Sequence, residues 1–331
     1  MGIYRLLLAI AVILSHVGIG LYGRNIGVVA VVSFFIISGY VMTALVERHY
    51  ANAQQIPRFY VDRVLRLFPQ FLFYSVLTLL LIAVAQPSSN FLSGLTPATV
   101  ALNIAMLPLN FYRYFPNALV IPQAWSLGLE AQFYVVVPLL IIFRLRIVAA
   151  TLSAAFFLLP YVGLVDVDTW SYRMLPGTLF VFMIGSLLRD KNQGKPVLAL
   201  YGYALALLVI AVAFRQAPSP VFEVLLGTVI GMPAIVALTK IPFGKWDALA
   251  GNLSYGVFLN HFFLIWLLQA IGIDHRSPIY LPILLISSVI LAALSYYLVE
   301  HKVIEMRHRL REKSRAAARD ASAIATDLIS Q

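Results

Sequence analysis

The sequence contains no cysteine among its 331 residues, and only 11% of the residues are charged. Disulfide bonds, cysteine-ligated zinc and thiol catalysis are therefore excluded. A water-soluble globule is excluded as well, because soluble domains carry about 25% charged residues. Apolar and aromatic residues make up 61% of the chain, too many for a disordered protein, and the mean hydropathy is +0.88. These values predict a polytopic membrane protein.

A transmembrane helix needs about 20 mainly apolar residues. Windows of this length predict an all-α fold with about ten transmembrane helices. The windows are Ile3–Leu21, Ile26–Val46, Phe68–Ala85, Glu130–Phe143, Ile147–Val165, Tyr172–Leu188, Val197–Phe214, Val221–Leu238, Leu249–Ile271 and Ile279–Val299. The fourth window is short, and we expect its helix to begin near Gln123.

Lysine and arginine are distributed unequally between the two ends of these predicted helices. The net charge is +10, and 18 of the 24 Lys and Arg residues lie in alternate connections or in the C-terminal tail. Basic loops resist translocation across the membrane. We therefore expect both termini in the cytoplasm, and membrane lipid rather than nucleic acid as the partner of the positive charge.

Residues 1–300 are predicted to form one membrane domain, and residues 301–331 a basic cytoplasmic helix and tail. Anionic lipid would attract this tail by about 1 kcal/mol per basic residue, so we expect it to anchor on the membrane surface. A longer connection spans roughly residues 86–123 on the outer side. It either caps the bundle or covers an acceptor site.

Ionisable side chains inside a membrane span are costly, and each is a candidate functional residue. Arg5 and His16 lie eleven residues apart on the first predicted helix, which places them about 20° apart around its axis and about 16 Å apart along it. Arg5 either snorkels to the headgroups or contacts a ligand. His16 either hydrogen-bonds inside the bundle or acts as a general base.

Glu130 is identified as the only carboxylate within an otherwise apolar run. We expect it to pair with His16 or to hydrogen-bond an acceptor hydroxyl. Trp125 and Ser126 precede it by about one turn. An aromatic-belt anchor at the membrane interface is the alternative role for Trp125.

Three arginines, Arg58, Arg63 and Arg66, cluster just before the third predicted span. Guanidinium groups bind phosphate oxygens through two parallel hydrogen bonds. The cluster is therefore either ordinary cytoplasmic positive charge or a site for an anion, such as the phosphates of a nucleotide-containing donor.

Small polar pairs interrupt two further spans, Ser38–Gly39 in the second and Asn260–His261 in the ninth. Each pair either allows close helix packing and hydrogen bonding between helices or belongs to a site. The six histidines show no close metal-ligand spacing, and we predict no metal.

Together these motifs resemble those of the acyltransferase family three membrane proteins, bacterial O-acyltransferases of surface glycans, across nearly all of residues 1–300. The matching residues are Arg5 and His16; Phe34, Phe35, Ser38, Gly39 and Tyr40; Arg63, Arg66 and Pro69; Trp125, Ser126, Leu127 and Glu130; and Ser254, Tyr255, Leu259 and His261. Phe258 stands where the family more commonly has tyrosine.

The resemblance implies a multi-pass protein of the bacterial inner membrane that transfers an acyl group, usually acetyl, from cytoplasmic acetyl-CoA. The implied acceptor is a hydroxyl of a cell-surface or lipid-linked glycan, such as an exopolysaccharide or O-antigen. It also implies that Arg5 and His16 are needed for activity. A glycan or lipid transporter without acyl transfer is the alternative function.

We accordingly predict three groups of site residues. His16 and Glu130 are expected to be catalytic. The donor-binding group is Arg5, Ser38, Arg58, Arg63 and Arg66, and the acceptor-binding group is Tyr40, Trp125, Ser126, Asn260 and His261. The sequence leaves open the acceptor sugar, the acyl chain length, the oligomeric state and the choice between direct transfer and an acetyl-histidine intermediate.

Overall fold

The computed structural model describes residues 1–114, 117–214, 219–242 and 244–312. Within these ranges the protein is helical and contains no β-strand, which confirms the predicted all-α fold. The helices are α1 (Gly2–His16), α2 (Ile26–His49), α3 (Ile56–Ala85), α4 (Pro97–Ala105), α5 (Trp125–Ile142), α6 (Arg146–Tyr161), α7 (Leu175–Leu188), α8 (Gly194–Phe214), α9 (Ser219–Leu238), α10 (Lys245–Ala270) and α11 (Tyr280–Ser295). A π-helical turn, Tyr296–Glu300, continues α11 into a C-terminal helix over residues 301–312.

Eight helices in the described part of the chain are long and apolar enough to cross a membrane. The two apolar helices α1 and α6 are shorter, with 15 and 16 residues. These ten correspond to the ten predicted spans, and the protein is a multi-pass membrane protein. The short helix α4 lies in the long connection between α3 and α5.

Helix ends differ from the predicted windows in two places that affect the site. α1 ends at His16 rather than Leu21, and the chain then turns through Gly18, whose φ of 84° suits glycine. α3 begins at Ile56 rather than Phe68, and Pro57 lies in its first turn, where proline is tolerated. The expected start of the fourth span near Gln123 is confirmed by a short helical turn, Pro122–Ala124, that leads into α5.

The contact between α2 and α7 explains one of the small residues. A Cβ atom on Gly39 would lie 1.9 Å from the carbonyl oxygen of Phe182, and one on Gly185 would lie 1.9 Å from that of Ile36. The two backbones therefore approach more closely than any side chain would permit. Gly39 is a packing residue, whereas Ser38 beside it faces a cavity.

Ion pairs between different connections show that the basic connections lie at one end of the bundle. Arg146 contacts Asp190 at 3.1 Å, and Arg189 lies 3.9 Å from Glu47. We call this the basic end; it also contains the first residue of the chain and residues 301–312. The other end, with the 17–25 and 86–121 connections, is the opposite end.

Glu223 shows that the identification of Glu130 as the only carboxylate in an apolar run was wrong. Glu223 is fully buried in α9 near the opposite end. Its Oε1 accepts hydrogen bonds from the Asn25 backbone N–H at 3.3 Å and the Ser219 hydroxyl at 2.7 Å. It joins α9 to the start of α2 and takes no part in the cavity described below.

Candidate active site

A cavity of about 520 Å³ extends into the bundle from the basic end, a volume typical of small-molecule sites. Its walls come from α1, α2, α3, α5, α10 and the C-terminal helix. The charged and hydroxyl-bearing side chains in its lining are Arg5, Ser38, Arg48, Arg63, Arg66, Ser126, Glu130, Tyr134, Ser254, Tyr255, Glu300, Arg307 and Arg311.

The lining is strongly positive, with six arginines against the two carboxylates Glu130 and Glu300. Four of the five residues predicted to bind the donor lie here. The exception is Arg58, which is exposed on α3 and does not line the cavity. Its predicted role in donor binding is corrected: it lies five residues before Arg63, on a different face of the helix.

The arginines differ in how they are paired. Arg63 pairs with Asp62 and Arg66 with Glu300, both in short contacts, and the Arg66 guanidinium also lies 4.9 Å from the ring centre of Tyr255. Arg5 makes no hydrogen bond or ion pair with any side chain that the structure describes. A guanidinium in this position is available for a ligand.

One face of α5 presents Ser126, Glu130 and Tyr134, spaced four residues apart, to the cavity. Glu130 Oε1 accepts hydrogen bonds from Ser38 at 2.7 Å and from Tyr134 at 2.6 Å. The expected pairing of Glu130 with His16 is therefore wrong. Tyr134 was missed in the sequence, although its position one turn after Glu130 was the available signal.

His16 pairs instead with His261. The His16 Nδ1 and His261 Nε2 atoms are 3.2 Å apart, and the rings stack with their centres 5.0 Å apart. His261 is fully buried, whereas His16 is exposed at the end of α1. If His16 carries its proton on Nδ1 and donates it to His261, its Nε2 keeps a lone pair that can accept a proton.

The imidazole pair lies beyond the inner end of the cavity and not in its lining. Phe258 connects the two regions. Its ring lines the cavity, lies 6.2 Å from the ring of Phe34 and also 6.2 Å from that of His261. These two phenylalanines thus separate the basic cavity from the histidines.

The long connection packs beside the imidazole pair. Gln123 donates from its Nε2 to the carbonyl oxygens of Phe258 and Leu259 at 2.9 and 2.8 Å. The ring of Phe91 packs edge-on against Phe262, which in turn contacts His16. The connection is a structured cap on this end of the bundle, and its role as a cover for an acceptor stays a prediction.

Two residues predicted to bind the acceptor have other partners. Asn260 exchanges hydrogen bonds with Ser288, donating to its carbonyl at 2.8 Å and accepting from its hydroxyl at 2.6 Å. It joins α10 to α11 and lies outside the cavity. Tyr40 lies near the basic end in a separate small depression, with the Arg189 guanidinium 5.8 Å from its ring. Neither residue lines the cavity, and the Asn260 side chain is occupied by Ser288, so we withdraw both from the site.

Trp125 and Ser126 separate in the fold although they are adjacent in sequence. Ser126 lines the cavity. Trp125 turns away, and the guanidinium of Arg173 lies 4.5 Å from its ring and 4.8 Å from that of Tyr112. Arg173 Nε also lies 2.9 Å from Asp168 Oδ2, with which it forms an ion pair.

This aromatic and charged cluster at the opposite end was missed in the sequence, because Arg173 reads as an ordinary loop residue. Arg173 is close enough to His16 for the two groups to interact electrostatically. Asp168 also bonds Arg113 at 2.7 Å, and this hydrogen bond raises the pKa of Arg113. Asp166 faces the same two arginines, so the cluster is a fixed, charge-balanced network near the exposed imidazole.

Comparisons with known proteins agree with this architecture. A family model described as an acyltransferase domain matches residues 3–297. The chain belongs to this family, the acyltransferase family three, and is a membrane protein with an acyltransferase domain.

Among relatives, an uncharacterized protein of Aquifex aeolicus is 30% identical over 203 residues, covering 57% of this chain and 90% of that protein. The O-acetyltransferase OatA of Staphylococcus aureus is 24% identical over 330 residues, covering 86% of this chain and 54% of OatA. The chain thus spans about half the length of OatA. No solved structure matches.

Proposed function

We propose that the protein transfers an acyl group, most simply acetyl, from acyl-CoA to a hydroxyl of a cell-surface or lipid-linked glycan. The observation that carries this proposal is an arginine-rich cavity whose inner end is separated from a pair of histidines by the ring of Phe258. The cavity offers a binding site for an anionic donor, and the histidine pair beyond it offers a proton acceptor. This arrangement suits the transfer of an acyl group across part of the membrane. The name of OatA supports oxygen as the acceptor atom.

The donor enters from the basic end, which the distribution of positive charge assigns to the cytoplasm. Its phosphates bind among the arginines, and its pantetheine arm follows α2 past Ser38. Glu130 Oε1 is already occupied by two hydroxyl donors, so Oε2 is the oxygen that accepts an amide N–H from the arm. Glu130 thus belongs to the donor site, and its role is to position the donor.

Chemistry follows when the thioester passes Phe258 and reaches the imidazole pair. His16 Nε2 removes the proton of the acceptor hydroxyl, whose oxygen attacks the thioester carbonyl carbon. The carbon–sulfur bond breaks, and the CoA thiolate takes the proton back from the imidazolium. A general base of this kind contributes about 10²–10⁴ in rate. In the alternative route His16 Nε2 itself attacks and carries the acyl group before the hydroxyl arrives.

The proposal is tested by thiol release from acetyl-CoA with glycan acceptors, using protein purified in detergent. His16→Ala should lower kcat by at least about 10² without changing the thermal unfolding temperature. Full activity of this variant would remove His16 from the chemistry. Vectorial flux of a glycan without any thiol release would instead support the transporter.

Donor binding is tested on α3. Replacing Arg66 alone would leave Glu300 buried and unpaired, so the informative variant combines Arg66→Ala with Glu300→Gln. We expect it to raise KM for acetyl-CoA about tenfold or more. Arg58→Ala is the matched control, since Arg58 has the same charge on the same helix but is exposed outside the cavity. A change in the acceptor KM only would contradict the assignment.

A further inference from the structure

The C-terminal helix is held against α3 by one buried carboxylate. Asp62 is fully buried, and Arg307 Nε lies 2.9 Å from its Oδ1 while Arg311 Nη2 lies 3.2 Å from its Oδ2. Arg307 and Arg311 are four residues apart and therefore share one face of the helix. Asp62 also pairs with Arg63. The helix is thus anchored to protein by a shared carboxylate, and not by lipid alone.

Three guanidinium groups around one carboxylate leave a local excess of two positive charges. Arg63, Arg307 and Arg311 all line the cavity, whereas Asp62 lies behind them. Their side chains are 6%, 11% and 21% exposed, so water neutralises this excess poorly. The Nε atoms of Arg63 and Arg311 are buried without a hydrogen-bond partner in the described part of the chain. Buried cations and donors of this kind call for an anion.

We propose that Arg307 and Arg311 complete, with Arg63, a phosphate-binding subsite for the nucleotide part of the acyl donor. The subsite rests on the proposed function, since it assigns a second wall to the same donor cavity. Asp62 is a positioning residue that holds the three guanidinium forks side by side. Phosphate oxygens fit such forks through paired, charge-assisted hydrogen bonds. The helix over residues 301–312 is accordingly part of the donor site as well as a contact with the membrane surface.

The test is equilibrium binding of CoA to the full chain in nanodiscs of neutral phosphatidylcholine. The double variant Arg307→Ala/Arg311→Ala should fold, because Asp62 keeps Arg63 as its partner. We expect its Kd for CoA to rise at least about tenfold. Arg309→Ala is the matched control, an exposed arginine on the same helix outside the cavity lining, and should bind as the unmodified protein does. The variant Arg307→Lys/Arg311→Lys should have an intermediate Kd for CoA, since it keeps the two charges and loses the planar guanidinium groups.

Three outcomes would overturn the subsite. If the unmodified protein does not bind CoA, the proposed donor fails and the subsite with it. If the unmodified protein and the double variant bind CoA equally, only the subsite fails, and the proposed function stands. If the Kd for CoA of the double variant differs from that of the unmodified protein only in nanodiscs that contain anionic lipid, the arginines bind lipid headgroup phosphates rather than the donor.

Discussion

The histidine pair supports a quantitative prediction about His261. His261→Phe keeps a planar ring stacked on His16 and in contact with Phe262 but removes the nitrogen that lies 3.2 Å from His16 Nδ1. A neutral hydrogen bond is worth about 0.5–1.5 kcal/mol, which corresponds to about 2- to 13-fold in rate. Loss of the partner also lets His16 populate its other tautomer, for up to about a further factor of two. We expect kcat to fall between about 2- and 25-fold.

The size of the fall in kcat distinguishes a residue that positions His16 from one that itself takes the proton. His16→Ala is expected to cost about 10²–10⁴, well beyond the range for His261→Phe. The assay is thiol release from acetyl-CoA with acceptor, measured as kcat, KM and the pH profile of kcat/KM, alongside the thermal unfolding temperature. His261→Gln is the matched control, because its side-chain amide can still accept from His16 Nδ1 and should restore most of the rate.

Two results would refute the reasoning. Unchanged kcat and an unchanged pH profile in His261→Phe would show that the pair does not orient His16. A loss as large as that of His16→Ala, with an unchanged unfolding temperature, would show that His261 itself takes the proton.

Other predictions concern residues that the fold assigns to distinct tasks. Gly39→Val should sharply lower the yield of folded protein in size-exclusion chromatography, because its Cβ would lie 1.9 Å from the Phe182 carbonyl oxygen; normal yield would contradict the close α2–α7 contact. Asn260→Leu should cost about 1–3 kcal/mol of stability in a thermal unfolding assay and leave both KM values unchanged. Arg173→Lys should raise KM for a glycan acceptor and not for acetyl-CoA, since it loses the stacked guanidinium near His16; an effect on the donor alone would place the acceptor elsewhere.

Several features of the fold follow from local properties of the chain. Hydropathy over windows of about 20 residues predicted the ten apolar helices, because each must satisfy its backbone hydrogen bonds internally and present apolar side chains to lipid. Alternating positive charge predicted which connections share an end, and the ion pairs of Arg146 and Arg189 bear this out.

Which side chains from distant segments contact each other was determined by the packing of the helices alone. Glu130 was expected to meet His16 but binds Ser38, 92 residues away, and Arg66 pairs with Glu300, 234 residues away. Hydropathy and spacing carry no information about which helix lies opposite another. The same holds for Asn260 and His261, neighbours in sequence whose side chains leave α10 in different directions, one toward α11 and one toward α1.

Composition and periodicity were sufficient to establish a helical membrane protein with a basic end and a short set of polar candidates, since these depend on each segment and its solvent. Which candidates meet, and which merely hold helices together, depended on the arrangement of the bundle. A buried polar group must find a partner wherever the fold brings one within about 3 Å. Asp62 illustrates this, because its three arginines come from its immediate neighbour and from a helix some 245 residues further along the chain.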